Sequence, residues 1–441
     1  FARHGQSVSP GGARMIEISG SFWIVLTGVL ATASCGLLGT FLVLRKMSLL
    51  GDALSHAVLP GIAIAFLLSG SRAIVPMFLG ATLFGLVTTL LVEAFHKKWQ
   101  VQEDASIGVV FTALFALGVV LITAFAGQVD LDQECVLYGE IAYTPWDLLL
   151  WGEYSLGPRP VWILGGVLAV NLLLVTLFYK ELKIASFDPA MAVSVGINAT
   201  LIHYLLMAMV SLTTVASFES VGAILVVAML IVPGATAYLW SDRLEVVIGL
   251  AMFFGMSSAV VGYYLASYWD SSIAGAMVVV VGGIFLFSLL FSPNQGVLSR
   301  LWQRLQLSLQ VAQDHMLLAL VRRDEEVEER ARLRPDELGG SSAVLGILAQ
   351  MAFRRLRWRR LLQQVDGMVE LSAAGEQVAL GLLRKHRLWE TYMNRLGLPE
   401  DHVHAPADVI EHFISAELEA ELGAEVGDER DPQGKQIPPS G

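Results

Sequence analysis

Apolar runs long enough to cross a lipid bilayer occupy most of the first 300 residues of this 441-residue chain. A spanning α-helix needs roughly 20 predominantly apolar residues, because the hydrocarbon core offers no water to satisfy an exposed backbone. The runs of this length lie at about 20–44, 51–69, 74–95, 107–127, 160–179, 199–217, 220–240, 244–267 and 273–292. The sequence therefore predicts an all-α polytopic membrane bundle of eight or nine transmembrane helices.

Charged residues are spread unevenly along the chain, and the change falls near residue 300. Residues 1–300 contain 12 Lys or Arg and 17 Asp or Glu, whereas residues 301–441 contain 17 and 23. This contrast indicates lipid around the first part and water around the second. Neither part has the excess of basic residues that is typical of nucleic-acid-binding proteins.

The changes in composition divide the chain into five segments. The predicted segments are a disordered leader at 1–19, a transmembrane domain at 20–300, an amphipathic helix and charged linker at 301–341, a soluble and mostly helical domain at 342–423, and a disordered tail at 424–441. Met15 is an alternative start of the chain, and the charged part of the linker begins at about Arg322.

Basic residues occur in alternate loops of the transmembrane domain. They are Arg45, Lys46, Lys97, Lys98, Lys180, Lys183, Arg243 and Arg300. Because short cytoplasmic loops of membrane proteins are enriched in Lys and Arg, we expect these loops in the cytoplasm and the acidic loop at 128–158 outside. The chain leaves the last span at Ser292–Pro293, so we expect the residues after about 301 in the cytosol.

Two ionisable residues lie within the second apolar run. Asp52 and His56 are four positions apart, so a helix places them on one face. A carboxylate beside an imidazole is half of a site for Mn, Fe or Zn, and ionisable groups within a bilayer usually face a cavity or a pathway. The alternative is an interfacial Asp52 that caps the helix and a hydrogen-bonded core His56. Pro60-Gly61, one turn later, predicts an interruption of the helix.

The other polar features of the membrane part are less specific. We expect Glu219 to be a loop residue at the outer surface, and Pro233-Gly234 to interrupt a second helix that faces the first. Two cysteines, Cys35 and Cys135, give no disulfide framework or thiolate metal site. The Gly-x-x-x-x-Gly-Lys-Ser/Thr loop that binds nucleotide phosphates does not occur in the sequence.

Four sequence motifs follow one another along the transmembrane domain. They are Leu44–Gly61 (LRKMSLLGDALSHAVLPG), Glu103–Phe111 (EDASIGVVF), Phe187–Ala190 (FDPA) and Ser220–Ala237 (SVGAILVVAMLIVPGATA). With these motifs, residues 20–300 resemble the permease subunit of the manganese, zinc and iron family of bacterial ABC importers.

The resemblance implies a set of partners and of functional residues. The expected partners are a second permease chain (the same or a different one), a cytosolic ABC ATPase dimer and an extracytoplasmic metal-binding lipoprotein, at the bacterial cytoplasmic membrane. The family's Asp-x-x-x-His motif falls on Asp52 and His56, which makes them ligands on the metal pathway. The cytoplasmic segment at Phe187, Asp188 and Pro189 becomes the place where the ATPase acts on the bundle.

The extension after residue 300 contains a cluster of arginines. The apolar stretch Ser342–Phe353 runs into Arg354, Arg355, Arg357, Arg359 and Arg360. Five arginines in seven residues predict contacts with the phosphates of DNA. A helix face against anionic lipid beneath the bilayer is an equal alternative.

Side chains of metal-ligating types concentrate later in the extension. His386 and Glu390 are one helical turn apart, and His404, Asp408, Glu411 and His412 follow at spacings of four, three and one. A helix brings such residues to one side, and imidazoles with carboxylates suit a six-coordinate transition metal. The alternative is a charged amphipathic helix that carries these residues by chance.

A second resemblance covers about 310–423. Asp366–Gly375 is similar to the wing and following helix start of a winged-helix domain, and His386–Glu390 with Ala407–Ser415 resemble the dimerisation and metal-sensing region of the diphtheria-toxin-repressor family. The sensing ligands that it implies are Asp314, His386, Glu390, His404, Asp408, Glu411 and His412. Asp408 replaces the family's usual Cys, Met or Glu, and 342–360 replaces its Ser/Thr-rich recognition helix, which makes DNA a doubtful partner.

Together these features predict a transport subunit rather than an enzyme. We expect it to move a divalent transition metal inward, Mn²⁺ in preference to Zn²⁺ or Fe²⁺, with ATP hydrolysed only on a partner chain. The cytosolic domain would sense the metal. Two alternatives remain, a cobalamin or siderophore permease and a membrane-tethered, metal-dependent DNA-binding regulator.

Overall fold

The computed structural model describes residues 10–70, 74–125, 141–151, 154–327, 343–365, 367–427 and 430–439. The chain divides into two compact units, Phe1–Ser299 and Arg300–Gly441, which we call unit 1 and unit 2. The helices of unit 1 are α1 (Pro10–Leu44), α2 (Leu49–Ala57), α3 (Leu59–Ser69), α4 (Ile74–Trp99), α5 (Glu103–Phe125), α6 (Arg159–Leu177), α7 (Tyr179–Phe187), α8 (Pro189–Ser194), α9 (Ala199–Val221), α10 (Ala223–Trp240), α11 (Leu244–Trp269) and α12 (Ile273–Phe291).

Membrane-spanning helices make up most of unit 1. Within the described residues, nine helical segments are long and apolar enough to cross a bilayer, which confirms the predicted bundle of eight or nine spans. The second span, Leu49–Ser69, consists of α2 and α3 and is interrupted at Val58. Pro60 lies in the first turn of α3, where a missing backbone N–H costs least, so the predicted interruption is present.

The centre of unit 1 is built around α1 and α9, which are the most enclosed spans. α1 packs on α10 and α11, with Leu38 and Phe41 fully buried. A Cβ added at Gly39 would lie 2.0 Å from the carbonyl oxygen of Leu230 on α10. The absence of a side chain at Gly39 therefore lets two backbones touch, as expected where lipid gives helices no hydrophobic reason to associate.

The α9–α10 region differs from the sequence prediction. α9 continues through Glu219 to Val221, and the break falls at Gly222, whose φ is +82°. α10 then runs without interruption through Pro233. The predicted loop at Glu219 is therefore wrong, because this residue belongs to the last turn of α9. The predicted break at Pro233 is also wrong, because one proline removes a single backbone hydrogen bond, which the packing of a long helix can tolerate.

A small antiparallel hairpin precedes α6. Its strands are β1 (Leu148–Trp151) and β2 (Tyr154–Pro158), and a 3₁₀ helix at Ile141–Trp146 comes before them. The sequence predicted only a loop here. The acidic part of that loop, at 128–140, lies outside the described residues.

The described residues of unit 2 are mostly helical and contain one hairpin. Its elements are α13 (Val297–Val327, whose first residues belong to unit 1), α14 (Ala343–Trp358), β3 (Leu362–Val365), β4 (Met368–Leu371), α15 (Ala373–Arg395), α16 (Glu400–Ile410) and α17 (Ala416–Val426). One hydrophobic core joins α13 to α14, the β3–β4 hairpin and α15. A second core, with Leu388 and Leu422, joins α15 to α17. This is the winged-helix-like arrangement that the sequence predicts.

Three predicted segments differ from the structure at their edges. α1 begins at Pro10, within the predicted disordered leader, and α13 extends to Val327, within the predicted charged linker. In the predicted disordered tail, α17 continues to Val426 and Asp431 is buried. Asp431 lies 3.2 Å from the guanidinium of Arg387, so a buried ion pair holds this part of the tail against α15.

Candidate metal sites

α15 carries the first two predicted metal ligands of unit 2. Ser372 caps its first turn by accepting a hydrogen bond from the backbone N–H of Gly375 at 3.0 Å. Four turns later, His386 and Glu390 lie one turn apart, both almost completely buried, with His386 Nε2 3.1 Å from Glu390 Oε1. Buried ionisable groups are costly unless they are paired, so this position is built for a charged partner.

α16 completes a group that we call cluster A, defined as His386, Glu390, His404 and Asp408. His404 Nδ1 lies 2.6 Å from Glu390 Oε1, and His404 Nε2 lies 3.7 Å from Asp408 Oδ2. Three ligand atoms, one from each of His386, His404 and Asp408, lie within 4.8 Å of one another. They are therefore close enough to bind the same metal ion. Asp408 and His404 are partly exposed, which leaves a route from solvent.

A second group, cluster B, consists of Asp314, His315, Glu411 and His412. His412 Nδ1 lies 3.0 Å from Asp314 Oδ2, and His412 Nε2 lies 3.1 Å from His315 Nε2. Ligand atoms of His315, Glu411 and His412 also lie within 4.8 Å of one another. The structure thus brings all seven predicted residues into two neighbouring clusters, and it adds His315, which sequence reasoning missed although it directly follows Asp314.

Glu411 joins the two clusters. Its Oε2 lies 2.6 Å from Nδ1 of His386, whereas its buried Oε1 has no hydrogen-bond partner and lies 3.7 Å from Nε2 of His412. An unsatisfied carboxylate oxygen in the interior costs free energy unless a cation meets it. The donor set, imidazoles with carboxylates and one orphaned oxygen, therefore fits a divalent transition metal.

The electrostatics of cluster A are set by the two buried glutamates. Burial by itself lowers the pKa of His386, but the hydrogen bonds of Glu390 and Glu411 outweigh it and raise the pKa to about 9. Burial by itself raises the pKa of Glu390, but the hydrogen bonds from His386 and His404 outweigh it and lower the pKa. The two carboxylates thus favour the protonated form of the His386 imidazole.

The predicted pair in unit 1 lies on α2. His56 Nε2 is 3.8 Å from Asp52 Oδ1, and the two side chains are 32% and 46% exposed. The His56 ring lies against Phe111 and Phe115 of α5. Two ionisable groups that open from an otherwise apolar helix are expensive against lipid. We therefore expect the two side chains to face a polar surface, a cavity or another protein chain rather than lipid.

The predicted coupling segment lies between α7 and α8. Asp188 caps α8 by accepting a hydrogen bond from the backbone N–H of Met191 at 2.9 Å, with Pro189 in the first turn. Phe187, Met191 and Val193 are all more than half exposed. Exposed apolar side chains on a short capped helix form a surface suited to a protein partner.

The arginine cluster lies at the end of α14 and in the turn before β3. Arg354, Arg357, Arg359 and Arg360 are exposed, and Arg355 is half-buried. The hairpin β3–β4 follows directly, with Leu362 opposite Leu371. The structure thus leaves four guanidinium groups available beside a wing, which suits a phosphate-bearing surface of either predicted kind.

Comparison with known proteins identifies both units. The ABC 3 transport family matches residues 19–292, and the metal-binding and dimerisation domain of iron-dependent repressors matches residues 372–439. The manganese transport system membrane protein MntD of Bacillus subtilis is 52% identical over 278 residues, which are 63% of this chain and 94% of that protein. The zinc transport system membrane protein TroD of Treponema pallidum is 43% identical over 277 residues, 63% of this chain and 75% of that protein.

A solved structure gives the same result for the fold. PsaBC from Streptococcus pneumoniae, solved in complex with Fab, contains a chain that is 34% identical, with a TM-score of 0.52. The match covers 62% of this chain and 92% of that chain. The protein described here is therefore a multi-pass membrane protein that belongs to the ABC 3 transport family and continues into a metal-binding repressor-type domain.

Proposed function

We propose that this chain is the membrane subunit of an ATP-driven importer that moves a divalent transition metal into the cytoplasm, and that unit 2 senses the metal there. One observation carries the proposal: a transport-family bundle with an Asp–His pair on an interrupted span is joined in one chain to two clusters of imidazoles and carboxylates. The Asp–His pair and the two clusters offer donor atoms that suit divalent transition metals.

Asp52 and His56 are proposed as ligands of the transported ion. Their four-residue spacing on α2 places both side chains on one face, and both are partly exposed. Facing a second permease chain, they would offer the ion an oxygen and a nitrogen at the interface. The phenyl rings of Phe111 and Phe115 beside His56 would limit the directions from which the ion is reached.

The metal is proposed to be Mn²⁺, with Zn²⁺ and Fe²⁺ as weaker substrates. Relatives of this chain carry manganese and zinc in their names. Five carboxylates stand beside the imidazoles of these sites, and hard oxygen donors favour Mn²⁺; they are Asp52, Asp314, Glu390, Asp408 and Glu411. The same relatives disfavour a cobalamin or siderophore permease.

ATP hydrolysis is assigned to a partner. Phe187, Asp188 and Pro189 would contact a cytosolic ATPase dimer, because Asp188 holds α8 in place while apolar side chains on either side are exposed. A metal-binding lipoprotein would deliver the ion from outside. Unit 2 follows the last span in the sequence and is proposed to lie in the cytoplasm, as the distribution of Lys and Arg predicts.

In unit 2, clusters A and B would hold a regulatory metal. When bound, a divalent ion supplies a positive charge that neutralises the carboxylates of both clusters. Glu411 would serve both clusters, since each of its oxygens faces a different one. The arginines of α14 would contact anionic lipid or, as the second candidate, DNA; their exposure beside the hairpin supports both.

The test is uptake of radioactive Mn²⁺ by cells that express the complete transporter. Asp52→Asn and His56→Gln are expected to lower uptake at least tenfold at equal amounts of protein in the membrane. Asp242→Asn and His96→Gln change the same residue types at exposed positions near span ends and should leave uptake unchanged. Unchanged uptake in the first pair would remove Asp52 and His56 from the pathway.

Competition identifies the substrate in the same assay. Excess unlabelled Mn²⁺ should suppress uptake most strongly, Zn²⁺ less strongly, and cobalamin not at all. Suppression by cobalamin would contradict the assignment of a metal importer.

A further inference from the structure

A guanidinium group lies inside cluster A. Arg322 on α13 donates a hydrogen bond to Asp408 Oδ1 at 3.1 Å, and its Nη2 lies 3.3 Å from His386 Nε2. Both partners are residues whose ligand atoms are close enough to share a metal ion. A permanent cation therefore already lies at the atoms that a divalent ion would use.

The two cations compete for the same carboxylate. An arginine remains protonated at every accessible pH, and its hydrogen bonds to a carboxylate are among the strong ones in proteins. A metal bound to Asp408 and His386 would leave a positive guanidinium within a few ångströms of a doubly charged ion. Such a repulsion is large even at the effective dielectric constant of a partly exposed site, so Arg322 must leave when the ion enters.

Polar contacts with α15 add to the hydrophobic core that joins α13 to it, and Arg322 makes one of them with His386. One turn further along α13, Glu325 forms an ion pair with Arg387, whose Nη1 lies 3.0 Å from Glu325 Oε1. This second contact does not involve a cluster A residue. Loss of the Arg322 contacts would therefore leave α13 attached through Glu325 and through the hydrophobic core.

We propose that Arg322 is an internal cation that occupies the metal position of cluster A and is displaced from Asp408 when metal binds. The inference rests on the proposed role of cluster A as a metal site. It makes metal binding and loss of the Arg322–Asp408 contact mutually dependent events. Because α13 begins at Val297, six residues after the last span ends at Phe291, the helix that loses the contact is also the one that continues the chain after the last span.

The test measures Mn²⁺ binding by calorimetry to the full-length chain in detergent. All variants carry His412→Ala, Asp52→Asn and His56→Gln, so that cluster B and the Asp52–His56 pair are disabled and cluster A is the site observed. Arg322→Gln is expected to bind Mn²⁺ at least about tenfold more tightly, since the competing charge is gone. Arg323→Gln, a change of the same type at the next and exposed residue of α13, should bind like the parent.

A double-mutant cycle assigns the effect to the contact itself. In an Asp408→Asn background, Arg322→Gln should no longer raise the affinity, because the carboxylate for which the two cations compete has been removed. Tighter binding by Arg322→Gln cannot be produced by unfolding. Equal or weaker binding, or the same gain in the Asp408→Asn background, would overturn the proposal.

The outcomes also separate this inference from the function on which it rests. If the parent and Arg322→Gln bind Mn²⁺ equally well, cluster A is a metal site and only the role of Arg322 is wrong. If neither binds Mn²⁺, the metal role of cluster A is wrong and the inference fails with it.

Discussion

In unit 2, one imidazole pairs with two carboxylates that a bound transition metal would contact instead. His386 is buried, yet Glu390 and Glu411 overcome the effect of burial and raise its pKa to about 9. A metal ligand must be the neutral imidazole, so with His386 as the proposed ligand, binding would release its proton. The acid–base behaviour of this side chain would then determine how metal binding by unit 2 depends on pH.

Metal affinity should increase with pH. Between pH 7 and 8, the apparent affinity of the full-length chain for Mn²⁺ is expected to rise by up to about tenfold, because His386 must lose its proton. Calorimetry in buffers of different ionisation enthalpy should detect about one proton released per ion at pH 7. An affinity independent of pH in this range would contradict the raised pKa.

The stability of metal-free unit 2 should decrease as the pH rises. Since the pKa of His386 in the folded chain lies above the ordinary value of 6.5, its pairing contributes stability that is fully present below about pH 6.5 and is lost as the pH rises through about 9. Thermal unfolding of unit 2, followed in the chelator-treated full-length chain, should therefore occur at a lower temperature at pH 9 than at pH 6.5.

At the scale of elements, close approach of helices decides the packing of unit 1. Gly39 of α1 touches the backbone of α10 at Leu230, whereas Gly249 of α11 has no atom near the position that its Cβ would take. Both are glycines within spanning helices. Their sequence surroundings do not separate them, because the difference lies in a neighbouring helix that is distant in sequence.

Gly39→Ala should destabilise the bundle, while Gly249→Ala should not. A Cβ at Gly39 would have to push two backbones apart, for which overpacking costs of about 1–3 kcal/mol are typical. Gly249→Ala only improves helix propensity. Thermal denaturation in detergent, followed by size-exclusion chromatography, should give a lower melting temperature for Gly39→Ala alone; equal values would show that α1 and α10 can separate without cost.

The C-terminal segment belongs to the fold of unit 2 through a buried ion pair. Arg387 contacts Glu325, Asp431 and the carbonyl oxygen of Gln436, and Asp431 is almost completely buried. Asp431→Ala should lower the free energy of unfolding of unit 2 by about 3 kcal/mol, because the buried guanidinium loses a partner. The exposed change Asp242→Ala in unit 1 is the control; chemical denaturation that is equal in both variants would place the segment outside the core.

At the scale of the whole molecule, two units with different solvents share one chain. The match to the transport family ends at residue 292, and the match to the repressor-type domain begins at residue 372. Transport and sensing are therefore encoded in separate parts of the sequence, and α13 is the segment that joins them.

Removing residues 301–441 should leave transport intact and change its regulation. The truncated chain keeps the nine spans found among the described residues and the Asp52–His56 pair, so Mn²⁺ uptake at low internal metal should match that of the full chain. At high internal metal, the full chain should slow down and the truncated chain should not. A full-length His386→Gln, His412→Ala variant is the matched control and should behave like the truncation; loss of uptake on truncation would mean that unit 2 is structural.

The sequence by itself determined the features that depend on local spacing. Apolar runs define the spans, a four-residue interval places Asp52 and His56 on one face, and helical spacing groups His404 with Asp408. These features need only the geometry of one helix and the polarity of its solvent.

Only the tertiary structure decided which distant residues meet. Asp314 and His315 join His412 across about a hundred positions, Arg322 enters cluster A, and neither event has a local signal. The uninterrupted passage of α10 through Pro233 is likewise set by packing. The physical reason is that helix periodicity is a property of neighbours in sequence, whereas a metal site, a close helix contact and a competing charge depend on elements that fold together from separate parts of the chain.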